Sequence, residues 1–220
     1  MERSERVLGC VFIPVHVFIL PVILGVILSL FAPLATPPEL MLIYYTISFL
    51  LILAIMFKFL RASFNDLIDG FWRAVLFVAL GYALYRVFLF VLALLLTQVM
   101  STDNPNTEAI DAAVNADFRT MLVVSVVLAP IVEESIFRGA LFGSVRQRSR
   151  FLAYIVSIIV FAAYHLWEFL LFDFSIEMLL FGLQYVPASI ALAWCYERGG
   201  TIWSPILLHA AINLTAVLQS

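Results

Sequence analysis

Apolar residues run along this chain in seven stretches, each about the 20 residues that a bilayer's hydrocarbon core requires. The pattern predicts membrane helices at Leu8–Phe31, Leu40–Phe59, Phe71–Val99, Thr120–Val145, Phe151–Leu171, Ile176–Tyr196 and Ile202–Leu218. The first stretch exceeds the core of a signal peptide, about 7–15 residues, and reads as a retained helix bent by Pro14 and Pro21. Cys10 follows Val7-Leu8-Gly9, but no hydrophobic stretch precedes it, so a lipoprotein cleavage box is rejected. Ser101–Phe118 is polar and predicts a surface helix or loop. No internal repeat or inserted soluble domain interrupts the pattern. The expected fold is therefore all-α: a polytopic membrane helix bundle of about seven spans, one integral-membrane domain over residues 1–220.

Composition agrees. Hydrophobic residues make up 64% of the 220 and charged residues 12%, against roughly 45–50% and 25% in soluble domains. A soluble fold could not cover so large an apolar share with so few charges. The net charge of -3 gives no basic surface for nucleic acid, so the partners are the lipid bilayer and whatever reaches a site inside it. Two cysteines, Cys10 and Cys195, lie in apolar runs and imply no disulfide framework.

Charge gives the orientation. Nine of the twelve Lys and Arg residues (Arg3, Arg6, Lys58, Arg61, Arg73, Arg146, Arg148, Arg150 and Arg198) fall at alternate span ends. Basic residues favour the cytoplasmic side, which predicts a cytoplasmic N-terminus. The opposite loops carry Asp103, Glu108, Asp111, Asp117, Glu168, Asp173 and Glu177. Gly199-Gly200 predicts a tight turn that tethers the last span to the one before it. His16 reads as a packing residue, and Gln98 and Gln184 as interhelical hydrogen bonders. Arg86 lies in the third span with no local partner, to meet a distant carboxylate or to snorkel.

Ionisable groups inside a bilayer are costly and mark working sites. Three clusters break the ban, all in the C-terminal half. In Glu133-Glu134-Ser135-Ile136-Phe137-Arg138, Glu134 and Arg138 are four apart and pair on one helix face. Glu133 points about 100° away and has no local cation, which suits a general base. Phe161 and His165 share a face at the same spacing, as do His209 and Asn213. Counted at 1.5 Å per residue, Glu133 lies about 18 Å from the cytoplasmic span end, His165 about 21 Å, and His209 and Asn213 about 10 and 16 Å. Similar depth on three helices predicts one constellation. Taken alone, each cluster also reads as a structural ion pair, a satisfied histidine or an interhelical hydrogen bond. Together, a carboxylate, two imidazoles and a carboxamide suit attack of water on an amide, with His209 and Asn213 donating to the oxyanion. The alternative is zinc on Glu133, His165 and His209; no cofactor is the preferred reading.

Glu133-Glu134-Ser135-Ile136-Phe137-Arg138-Gly139, Phe161-Ala162-Ala163-Tyr164-His165 and His209-Ala210-Ala211-Ile212-Asn213 resemble, in order, the EExxxR, FxxxH and HxxxN motifs of the CPBP family, the CAAX-protease and bacteriocin-processing (Abi) intramembrane proteases. The resemblance covers about Arg119–Ala216 and implies an endopeptidase of a bacterial plasma membrane, acting on a membrane-associated protein or peptide. It implies Glu133 as activating base, His165 as its partner in holding water, and His209 with Asn213 as the oxyanion site. Glu134 and Arg138 become the pair that fixes the helix, with Phe161 supporting. Residues 119–216 form the expected catalytic core and residues 1–118 its scaffold. Two rivals remain open at this point. One is a non-catalytic immunity or membrane-complex protein of the same fold; the other is a proton-coupled transporter.

Overall fold

The computed structural model describes residues 1–96, 104–172 and 174–220. Gln98, Asp103 and Asp173, with the start of the polar Ser101–Phe118 stretch, lie outside the described residues. Helices account for the described chain, and no strand occurs among those residues. In order they are α1 (Arg3–Phe31), α2 (Pro37–Asp69), α3 (Phe71–Leu96), α4 (Pro105–Ala116), α5 (Phe118–Arg146), α6 (Arg150–Phe172), α7 (Ile176–Gly199) and α8 (Trp203–Val217). The expected all-α polytopic bundle is borne out.

Of the about seven expected spans, six appear among the described residues as helices long and apolar enough to cross a membrane. The seventh stretch forms α8, an apolar helix of 15 residues, or about 22 Å at 1.5 Å per residue, short of a core of about 30 Å. Helix α2 is also longer than its apolar stretch. Thr36 caps its start, with the Glu39 carboxylate accepting from the Thr36 N–H at 2.8 Å, and Gly70 follows its end. The expected surface element appears as α4, capped by the Asn104 side chain. Helix α5 begins on Asp117, which accepts from the Thr120 hydroxyl at 2.6 Å and the Thr120 N–H at 3.1 Å. These bonds hold its carboxyl below the usual carboxylate range.

Pro21 does not break α1. A π turn at Val15–Ile19 absorbs it: the Leu20 N–H bonds the Val15 carbonyl, five residues back. In that register the next donor would be residue 21, a proline with no N–H, so the His16 carbonyl has no helical partner. The Tyr44 hydroxyl of α2 donates to it at 3.0 Å. A second helix defect is met in the same way. Met56 of α2 leaves helical geometry (φ −120°, ψ 20°), and the buried Glu5 carboxylate accepts from the Phe59 N–H at 2.8 Å.

Helix α5 is the most buried of the six spans and sits at the centre, with α1, α2, α6, α7 and α8 packed on it. Glycine permits the closest approach of α1: a Cβ at Gly9 would lie 2.7 Å from the Ala140 Cβ. Close approach at small residues is how membrane helices gain packing without a hydrophobic drive. The predicted tight turn is present at Gly199-Gly200. Gly200 adopts φ +81°, and Thr201 donates from its hydroxyl to the Ser63 carbonyl at 2.6 Å. Arg86 is exposed on α3 and pairs with no carboxylate among the described residues.

Candidate active site

Long-range packing brings the three clusters together in the bundle interior. Glu134 and Arg138 are fully buried and pair at 2.9 Å within α5, as their spacing predicts. The pair reaches further than its own helix. The same Glu134 oxygen, Oε1, lies 2.8 Å from His209 Nδ1 on α8. The Arg138 guanidinium lies 4.3 Å from the centre of the Phe161 ring on α6, and its Nη2 is 3.5 Å from Ser189 Oγ on α7. One ion pair therefore ties α5 to three neighbours. A cation on a desolvated aromatic face contributes about 2 kcal/mol.

Phe161 also sets His165. The Phe161 carbonyl can only accept, so His165 Nδ1, 2.8 Å away, carries the proton. In the neutral ring Nε2 is then a lone pair. Tyr185 of α7 stacks on this imidazole with centroids 4.4 Å apart.

Asn213 is held by the backbone of α5. At the π turn Val124–Leu128 the Ala129 N–H bonds the Val124 carbonyl. The next residue is Pro130, so the Ser125 carbonyl loses its helical donor, as at Pro21. The Asn213 amide supplies the bond at 2.8 Å. One amide N–H is committed there and the other remains.

Glu133, expected to have no cation on its own helix, takes its partners from other helices. Its Oε1 accepts from the Tyr45 hydroxyl of α2 at 2.8 Å, and the Tyr164 hydroxyl of α6 stands 3.4 Å away. Its Oε2 is buried with no hydrogen-bond partner among the described residues, 3.9 Å from His209 Nε2. Tyr45 lies in the half expected to serve only as scaffold, and nothing in the motifs points to it. The available signal was a tyrosine inside an apolar span rather than at its end, where aromatic belts form.

Glu133, His165, His209 and Asn213 all line one cavity of about 820 Å³. It extends past Tyr185 to Asn104 and Asn106 at the start of α4. Asn104 there donates to Gln184 at 2.8 Å, the interhelical role expected of that glutamine. The zinc alternative fits poorly: among the described residues no three His, Cys, Asp or Glu side chains converge as a ligand set.

Comparison with known proteins bears out the family resemblance for the C-terminal half. Residues 115–215 match the Rce1-like family, type II CAAX prenyl endopeptidases. Over 118 residues the chain is 30% identical to a Bacillus subtilis (strain 168) protein named "Putative membrane peptidase YdiL", covering 53% of this chain and 43% of that protein. Two Lactococcus lactis subsp. lactis (strain IL1403) proteins are also similar. UPF0177 protein YxdF is 24% identical over 58% of this chain and 65% of its own length; UPF0177 protein YaiF is 34% identical over 44% and 38%. The chain thus covers less than two thirds of each of these relatives. No solved structure matches it. The apolar helices, with the match over residues 115–215, make it an integral membrane protein.

Proposed function

We propose that this chain is an intramembrane endopeptidase that hydrolyses a peptide bond in a membrane-associated protein or peptide, with water activated by Glu133. The supporting observation is that Glu133 lines the cavity and its buried Oε2, without a hydrogen-bond partner among the described residues, lies 3.9 Å from His209 Nε2. An atom set to one side of this pair lies within hydrogen-bond reach of both groups.

In this reading water donates one proton to Glu133 Oε2, and the Nε2 lone pair of His165 helps to hold it. The water oxygen attacks the peptide carbonyl carbon, and the carbonyl oxygen takes the charge. His209 gives its Nδ1–H to the Glu134 carboxylate, which can only accept, and in its doubly protonated form it also presents Nε2–H. Its Nε2–H and the uncommitted N–H of Asn213 then donate to the oxyanion. When the C–N bond breaks, the proton on Glu133 passes to the leaving amine.

The distribution of basic residues supports a cytoplasmic N-terminus, and the bacterial relatives support a bacterial plasma membrane. The test is cleavage of a quenched-fluorescence peptide mixture by protein in liposomes. Wild type cleaves; Glu133→Gln, folded to the same melting temperature, does not. Equal rates for the two would overturn the reading.

A further inference from the structure

The proposed reaction leaves one group of buried polar residues without a role. Apart from Tyr164 of α6, they lie in α1 and α2, outside the motif-bearing half. His16 is fully buried, stacked between Tyr44 and Tyr164 with centroids 4.9 and 5.7 Å away. Its Nδ1 is 3.0 Å from Ser48 Oγ and its Nε2 is 3.2 Å from the Tyr164 hydroxyl. The Tyr164 hydroxyl is 3.0 Å from that of Tyr45, which donates to Glu133 Oε1 at 2.8 Å.

The shortest links run as a chain with one proton each; beside it the Tyr44 hydroxyl lies 3.0 Å from both ring nitrogens of His16, and the Tyr164 hydroxyl 3.4 Å from Glu133 Oε1. The Glu133 carboxylate can only accept, which sets the direction. Tyr45 gives its single proton to Glu133, so its oxygen accepts from Tyr164. Tyr164 has then spent its own proton and accepts Nε2–H from His16. That tautomer leaves Nδ1 as an acceptor, and the Ser48 hydroxyl donates to it. Every member donates once toward Glu133. The Tyr44 hydroxyl, bonded to the His16 carbonyl, holds the ring in place through the main chain.

We infer that Ser48, His16, Tyr164 and Tyr45 are a positioning relay for Glu133. The relay occupies Oε1 and turns Oε2 to the cavity, so the first two helices set the aim of a group carried by α5. Hydrogen bonds in a chain polarise one another, so the far end at His16 acts on Glu133 through two tyrosines. This role rests on the reading of Glu133 as the base, but the contacts can be tested without it.

The test reads Glu133 directly. An infrared difference spectrum, wild type minus Glu133→Gln, isolates the Glu133 carboxyl band with no substrate present. Tyr45→Phe removes one hydroxyl and keeps the ring; it shifts that band. His16→Leu shifts it in the same direction by less, and His16→Gln, which retains an N–H near the Nε2 position, restores it. On the peptide mixture, Tyr45→Phe lowers kcat about tenfold or more with KM unchanged, and His16→Gln exceeds His16→Leu. A band unmoved by Tyr45→Phe, or by His16→Leu in folded protein, overturns the relay whatever the cleavage result. Cleavage by Glu133→Gln at the wild-type rate overturns the base assignment alone, since the band shifts do not depend on it.

Discussion

His209 Nδ1 lies 2.8 Å from Glu134 Oε1, and this one bond joins the first and last motifs of the chain across 75 residues. The Glu134 oxygen that takes it also takes Arg138 Nη1 at 2.9 Å. Glu134→Ala leaves the Arg138 charge buried without a counter-charge, which costs about 3–5 kcal/mol, and Arg138→Ala leaves Glu134 with His209 in place of its guanidinium partner. Glu134→Ala and Arg138→Ala are therefore expected to melt well below the wild type as well as to lose activity. Thermal unfolding in detergent checks this; wild-type melting of both variants would contradict it.

The Asn213 amide has a structural duty at the Ser125 carbonyl. Asn213→Ala leaves that carbonyl without a donor and should destabilise by about 1–3 kcal/mol. Pro130→Ala returns an N–H to the helix at the residue that would serve Ser125. The double variant should therefore lose less stability than the two single losses added. A double-mutant cycle by thermal unfolding measures the coupling, and strict additivity would refute it.

Gly9 and Ala140 test the seam between α1 and α5. A methyl group at Gly9 would meet the Ala140 Cβ at 2.7 Å, and overpacking of this kind costs about 1–3 kcal/mol. Gly9→Ala should lower the melting temperature, and Ala140→Gly in the same chain should recover most of the loss. No recovery would place the strain elsewhere.

The relation between sequence and structure follows the range of each contact. Glu134 with Arg138, and Phe161 with His165, are four residues apart on one helix, and helical geometry alone makes them neighbours. The tight turn at Gly199-Gly200 is equally local. Tyr45 with Glu133 spans 88 residues, and no periodicity brings two helices into a particular rotation. The prolines were visible in the spans, but their effect was not. Pro21 and Pro130 each follow a π turn that orphans one carbonyl, and the donors, Tyr44 and Asn213, come from other helices. The charge of Glu133 was legible from its place in an apolar span; its tyrosine partners were not.

The donor geometry makes a claim about metal. Both imidazoles have Nδ1 committed, to Phe161 and to Glu134, yet no three candidate ligands converge among the described residues. Protein treated with a strong chelator and assayed on the peptide mixture is expected to retain its activity. Zinc bound one to one by elemental analysis, and lost together with activity, would contradict this.

In the proposed reaction Glu133 delivers water to a peptide carbonyl inside the bundle. Cleavage in ¹⁸O-labelled water tests it most directly, by mass spectrometry of the product and of the protein after a single turnover. The account predicts one ¹⁸O in the new C-terminal carboxylate, none in Glu133, and no labelled product from Glu133→Gln. Label in the Glu133 carboxyl, or labelled product from Glu133→Gln at the wild-type rate, would contradict it.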